Sequence, residues 1–178
     1  GCTSGNTVTL GGDVLAGEVT SPAGSLTQVC SSDLYSFVIL KGADGSYTLS
    51  IKQSNVVPTD SAAATLIWNR DTTPPNPPVI TNPGTNPYTS SGNLTLSGSC
   101  EENATVYLAG ADTNSTICSS AYFSFTIIKG SDGTYDFTLY QNDLATNSSG
   151  TASQQWIRST AVPSTPTITS PSVSPYLS

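Results

Sequence analysis

Lys129-Gly130-Ser131-Asp132-Gly133-Thr134-Tyr135-Asp136-Phe137-Thr138-Leu139 decides how this chain is read, because 88 residues earlier stands Lys41-Gly42-Ala43-Asp44-Gly45-Ser46-Tyr47-Thr48-Leu49-Ser50-Ile51. In each copy an Asp-Gly pair supplies a tight turn. Tyr135, Phe137 and Leu139 then alternate with polar residues at period two, the pattern of a strand with one buried face. A stretch of this kind is one piece of a repeated β unit.

Outward from it the register holds without a gap from Val29–Ser90 to Ile117–Ser178. Cys30-Ser31-Ser32 meets Cys118-Ser119-Ser120, Trp68-Asn69-Arg70 meets Trp156-Ile157-Arg158, and Pro87-Tyr88 meets Pro175-Tyr176. About two dozen of roughly sixty positions are identical, too many for shared composition. Upstream, Cys2 to Leu10 matches Cys100 to Leu108 at an offset of 98, so the first copy carries about ten extra residues within Gly11 to Thr27, read as a longer loop.

Proline marks the boundaries. Asp71-Thr72-Thr73-Pro74-Pro75-Asn76-Pro77-Pro78 is short of backbone donors and restricted in φ, which predicts an extended connector, and Thr160 to Pro166 repeats it in weaker form. The expected organisation is a repeat lacking its first strands over 1–73, a complete repeat over 74–160, and over 161–178 a linker with the first strand of a following or neighbouring-chain repeat. Such a window reads as part of a longer array.

In the complete copy the alternation predicts strands near 78–81, 87–89, 93–99, 104–109, 115–117, 121–128, 134–141 and 152–158, with no segment of helical period. Seven or eight short strands separated by Gly, Pro, Asn and Asp turns describe an all-β fold of tandem immunoglobulin-like Greek-key sandwiches. Tyr47 and Tyr135, each opening a strand just after the Asp-Gly turn, are candidates for a tyrosine corner, whose hydroxyl bonds back to nearby backbone. Sugar stacking by these tyrosines is the functional alternative.

Five cations against twelve carboxylates leave a net charge of −7, which opposes nucleic acid and acidic membrane surfaces. No apolar run approaches the roughly 20 residues that span a bilayer. Histidine is absent, which excludes a triad hydrolase and a His-ligated zinc site. Glu101-Glu102 is the one close carboxylate pair, and it reads as a solvated turn rather than an acid/base couple, since the first copy has Thr3-Ser4 there. No residue set reads as that of an enzyme.

Four cysteines in a histidine-free chain of extracellular character read as disulfides before metal ligands. The repeat selects Cys2 with Cys30 and Cys100 with Cys118 from the three connectivities. Each staple is worth about 3 kcal/mol on the loop-entropy scale. No cofactor is expected, but calcium at the repeat junctions is weighed, with Asp71, Asp112, Asp132, Asn142 and Asp143 as candidate oxygen donors. Turn residues are rich in Asp and Asn for their own reasons. Tyr107, Tyr140 and Trp156 are candidate ligand contacts, although for the tryptophan, as for Trp68, core or linker packing is the favoured reading. Asn93, Asn103, Asn114 and Asn147 open glycosylation sequons.

The stretches Leu94-Thr95-Leu96-Ser97-Gly98-Ser99-Cys100-Glu101, Cys118 to Ile127, Asp132 to Gln141 and Trp68 to Pro75 resemble the bacterial Ig-like tandem repeats of large surface proteins. The likeness covers essentially the whole chain. It implies a seven-stranded sandwich without catalytic residues, set in an extracellular or cell-surface fibre, filament or adhesin stalk. Members often read Asp-x-Ala-Gly-Asn after the tyrosine strand. Asp143-Leu144-Ala145-Thr146-Asn147 keeps part of this, and Asn55-Val56-Val57-Pro58-Thr59 almost none, which weakens the calcium reading.

The expected function is therefore a structural repeat segment, partnered by neighbouring Ig-like repeats in the same or adjacent chains. One rival is a module binding a glycan or a cell-surface receptor. Another is a filament subunit that polymerises by donating residues 163–178 to the exposed sandwich edge of the next chain.

Overall fold

The computed structural model describes residues 1–57 and 59–170. It contains two compact units, Gly1–Pro74 with Leu144–Asn147, and Pro75–Asp143 with the chain from Ser148 onward. The first holds β1 (Thr7–Gly12), β2 (Val19–Ser21), β3 (Thr27–Val29), β4 (Val38–Ile39), β5 (Gly45–Ser54) and β6 (Ala64–Arg70). The second holds β7 (Val79–Asn82), β8 (Tyr88–Ser90), β9 (Leu94–Ser99), β10 (Thr105–Gly110), β11 (Asn114–Ile117), β12 (Tyr122–Ile127), β13 (Gly133–Asn142) and β14 (Ala152–Arg158). The only helix among the described residues is a single 3-10 turn at Ala16–Glu18.

The second unit is an Ig-like sandwich. One sheet runs β11-β10-β13-β14-β8 and the other β12-β9-β7. All pairs are antiparallel except β14 with β8, where Trp156, Ile157 and Arg158 lie beside Tyr88, Thr89 and Ser90 in parallel. The opening segment is thus shared, β7 belonging to one sheet and β8 to the other. Alternation places Leu94 and Leu96, Val106 and Leu108, Phe123, Phe125 and Ile127, and Phe137 and Leu139 on the inner faces, where all are buried with Trp156 and Cys118. Burying a side chain of this size contributes roughly 1.5–3 kcal/mol. Gly98 is required where β7 crosses β9, because a Cβ there would stand 1.8 Å from the Val79 carbonyl oxygen.

The first unit has the same sheet, β3-β1-β5-β6, and no strands equivalent to β7, β8 and β9 among the described residues. Its extra loop is put to use. β2 pairs with β4, setting Val19 beside Ile39. Val14 and Val19 are buried with Leu10 and Leu49, while Phe37, Ile39, Ile51 and Trp68 are only partly covered. The predicted long loop therefore contains a short strand, too brief to show an alternation. Glu18 of this loop pairs with Lys41 at 2.5 Å. The Lys41 ammonium, followed by the Leu15 backbone N–H, holds the Glu18 carboxyl below its usual range.

Residues 161–169 lie outside any strand and are exposed. The expected opening strand of a further repeat falls largely on 171–178, outside the described residues.

Candidate functional site: staples and end clasps

Both cysteine pairs are disulfide-bonded, Cys2 to Cys30 and Cys100 to Cys118, with Cα separations of 6.0 and 5.9 Å. Cys100 directly follows β9 and Cys118 directly follows β11, so the bridge ties one sheet to the edge of the other.

Each Asp-Gly turn fixes two things at once. The Tyr135 hydroxyl donates to the Ser131 carbonyl at 2.9 Å, and that of Tyr47 to Ala43 at 2.8 Å, so both form a corner bond to backbone four residues upstream. The rings pack against Trp156 and Trp68, with centroids 5.5 and 5.9 Å apart. Lys129 and Lys41 lie over the outer faces of the same tyrosines.

The aspartate of the turn grips the departing chain. Asp132 accepts from Arg158 Nη1 at 2.7 Å and from both the backbone N–H and hydroxyl of Thr160 at 2.9 Å. Asp44 accepts from Arg70 and from the hydroxyls of Thr72 and Thr73. Hydrogen bonding from Thr160 backbone and hydroxyl, then the Arg158 charge, holds the Asp132 carboxyl below the usual carboxylate range. For Asp44 the leading cause is the Thr72 backbone, with the Thr72 and Thr73 hydroxyls and Arg70 adding to it. Sequence reasoning missed this clasp, although Asp, Arg and Thr recur together at the constant offset of 88.

At the far end of the same strand a buried glutamine holds the arriving chain. Gln141 donates from Nε2 to the Asn76 carbonyl at 2.6 Å and accepts at Oε1 from the Glu101 N–H at 3.0 Å. In the first unit Gln53 accepts from the Thr3 N–H at 2.9 Å, the matching position after the first cysteine. Burial leaves such an amide little choice but to be bonded. Asp132 and Gln141 bracket β13, nine residues apart, so the held entry and held exit of the second unit are ~30 Å from one another along the strand.

The remaining candidate residues are dispersed. Trp156, weighed as a ligand contact, is fully buried and donates from Nε1 to the Ser90 hydroxyl at 3.0 Å, so it presents no face to a ligand. The inward register of β14 is the reason. Tyr107 and Tyr140 face each other across β10 and β13 on the outer side of the sheet, stacked at 5.0 Å and nearly parallel. Asp132, weighed for calcium, spends its oxygens on Arg158 and Thr160. Asp71 caps the Thr73 N–H, Asp112 caps Thr113 with Lys129 3.7 Å away, and Asn142 Oδ1 is buried without a partner. Asp143 follows the end of β13. The structure gathers no three carboxylates or cysteines into a metal-holding group among the described residues. Glu102 accepts from the Ala121 N–H at 2.7 Å, a turn contact.

No family model and no curated protein matches this chain. Among solved structures it is similar to the fibronectin(III)-like modules of Clostridium thermocellum CbhA, at 12% identity and TM-score 0.49, covering 88% of this chain and 79% of that one. It is also similar to the BSP domain of a biofilm-associated protein, at 14% identity and TM-score 0.35 over 90% of this chain and 26% of that one. The D00-D0 domain of intimin is a third, at 11% identity and TM-score 0.30, with 84% of each chain covered. The Ig-like description of the second unit rests on its own strand order, shared opening strand and tyrosine corner.

Proposed function

We propose that this chain is a structural repeat segment of an extracellular bacterial surface fibre or adhesin stalk. The observation that carries the reading is the pair of clasps at opposite ends of β13, one fixing how the chain enters the sandwich and the other how it leaves. A unit held in this way transmits a direction from one repeat to the next, which a stalk needs and a catalyst does not. The staples support an oxidising location outside the cytoplasm. Neighbouring repeats are the partners. Immunogold labelling with antibody to this chain should decorate projections on intact cells. Labelling that requires permeabilised cells would overturn the reading.

A second reading has one observation in its favour, the outward Tyr107–Tyr140 stack, which offers aromatic edge and hydroxyls to a sugar or receptor surface. Binding on a glycan array that disappears with Tyr140→Ala supports it. An array without hits leaves the stack as a cross-strand pair that stabilises the sheet.

A further inference from the structure

Four asparagines open the triplet that N-linked carbohydrate requires, in Asn93-Leu94-Thr95, Asn103-Ala104-Thr105, Asn114-Ser115-Thr116 and Asn147-Ser148-Ser149. A transferring enzyme must reach the amide nitrogen and the hydroxyl two residues on together, so the fold around each triplet decides whether it can be used. The four differ on this point.

Asn93 is exposed, but Leu94 behind it is fully buried and Thr95 lies opposite Thr126, inside the three-stranded sheet. Asn103 has a φ of +66° in the turn that the Ala104 N–H closes onto the Glu101 carbonyl, and the first unit sets Gly5, at +87°, in the same place. The turn by itself accounts for Asn103, and Ala104 after it is buried. Asn147 spends its Nδ2 on the Asp71 carbonyl at 3.2 Å.

Asn114 is the exception. It opens β11, the edge strand of its sheet, which is bonded to β10 on one side only. Asn114 and Ser115 are exposed and Thr116 is half-buried, so no side chain of the triplet is locked in the core. The Asn114 Oδ1 accepts from the Ser115 N–H at 2.8 Å, which fixes the amide, and among the described residues no group accepts from its Nδ2. The first unit has Leu26 at this position, partly buried against the core, with its carbonyl bonded to the Leu10 N–H. A leucine would thus serve the packing of this site better, and a strand backbone does not call for asparagine.

We propose that Asn114 carries an N-linked glycan. In the transfer, Asn114 Nδ2 bonds to C1 of the first sugar of a glycosyl diphosphate. The bond from C1 to the phosphate oxygen breaks with its electron pair leaving on the diphosphate, and the amide proton passes to a base of the transferring enzyme. The Thr116 hydroxyl is the second handle by which that enzyme recognises the triplet. A glycan is bulky and hydrated, and on an open strand edge it obstructs pairing with a strand of another molecule.

The test is peptide sequencing of the protein taken from the cells that make it, with electron-transfer fragmentation to locate any added mass. A carbohydrate increment is expected on Asn114 and should be absent from the same chain made by cell-free synthesis. Thr116→Val, which suits a position opposite Val106, should abolish the increment, and Thr116→Ser should retain it. A bare Asn114, an increment that survives Thr116→Val, or one carried by Asn93, Asn103 or Asn147 in its stead would overturn the proposal. The proposal rests on the extracellular reading, and the cysteines tell the two failures apart. A bare Asn114 beside intact disulfides counts against the glycan alone, whereas a bare Asn114 with free thiols counts against the location as well.

Discussion

The two units share one sequence pattern and differ in how far the inner face of the sheet is covered among the described residues. In the second, β7, β8 and β9 close the sandwich over Phe125, Ile127 and Trp156. In the first, the same sheet and corner form, and Val14 and Val19 of the inserted stretch are buried with Leu10 and Leu49. The sheet built on β5 or β13, with its staple, corner and clasps, is therefore the constant module.

The largest test of this contrast is the tryptophan. Trp156→Ala removes a fully buried ring and should cost the second unit about 3–5 kcal/mol, whereas Trp68→Ala, half-covered, should cost well under half as much. Urea unfolding followed by amide exchange reads each unit separately. Equal losses would break the contrast.

Next come the staples. Replacing Cys100 and Cys118 by Ala should cost about 3 kcal/mol, and replacing Cys2 and Cys30 a similar amount, because the closed loops differ little in entropy. Each unit carries one tryptophan, so fluorescence melts of Trp68→Phe and Trp156→Phe backgrounds assign the loss.

Smaller again is Gln141→Leu, which strands the Asn76 carbonyl and the Glu101 N–H. About 1–3 kcal/mol should be lost in the second unit, and less for Gln53→Leu, which is less buried.

Acidification should act on both units alike. The Asp44 and Asp132 carboxyls sit below their usual range when folded, so the unfolded chain binds their protons more readily as pH falls. Their contribution is complete above about pH 5 and fades as pH drops through the lowered native values. Asp44→Asn with Asp132→Asn should flatten the acid limb of a stability–pH profile. The smallest effect is expected from chelator, which should leave both melting midpoints where they are.

Much of this was legible in the residues themselves. Period-two alternation placed Leu94–Ser99, Tyr122–Ile127 and Gly133–Asn142 within a residue or two, since a strand with one buried face leaves no other pattern. The Tyr135 corner was legible because an Asp-Gly turn allows few outcomes. Gln141 was not, because a polar residue at an inward position looks like a break in the alternation until its partners are known. The exit clasp was overlooked for another reason. Asp132 was weighed as an ion ligand, and its carboxylate could be assigned only when Arg158 and Thr160 were seen within reach. Trp156 faced inward by register alone.

The staples also set how far each unit can lengthen under load. With Cys100 and Cys118 joined at a sequence separation of 18, about 55 Å of contour stays locked when the second unit is pulled open. The bridge at a separation of 28 withholds about 90 Å in the first. A tether made of such units would yield in short steps, and a reducing medium would at once free the locked length and weaken each unit.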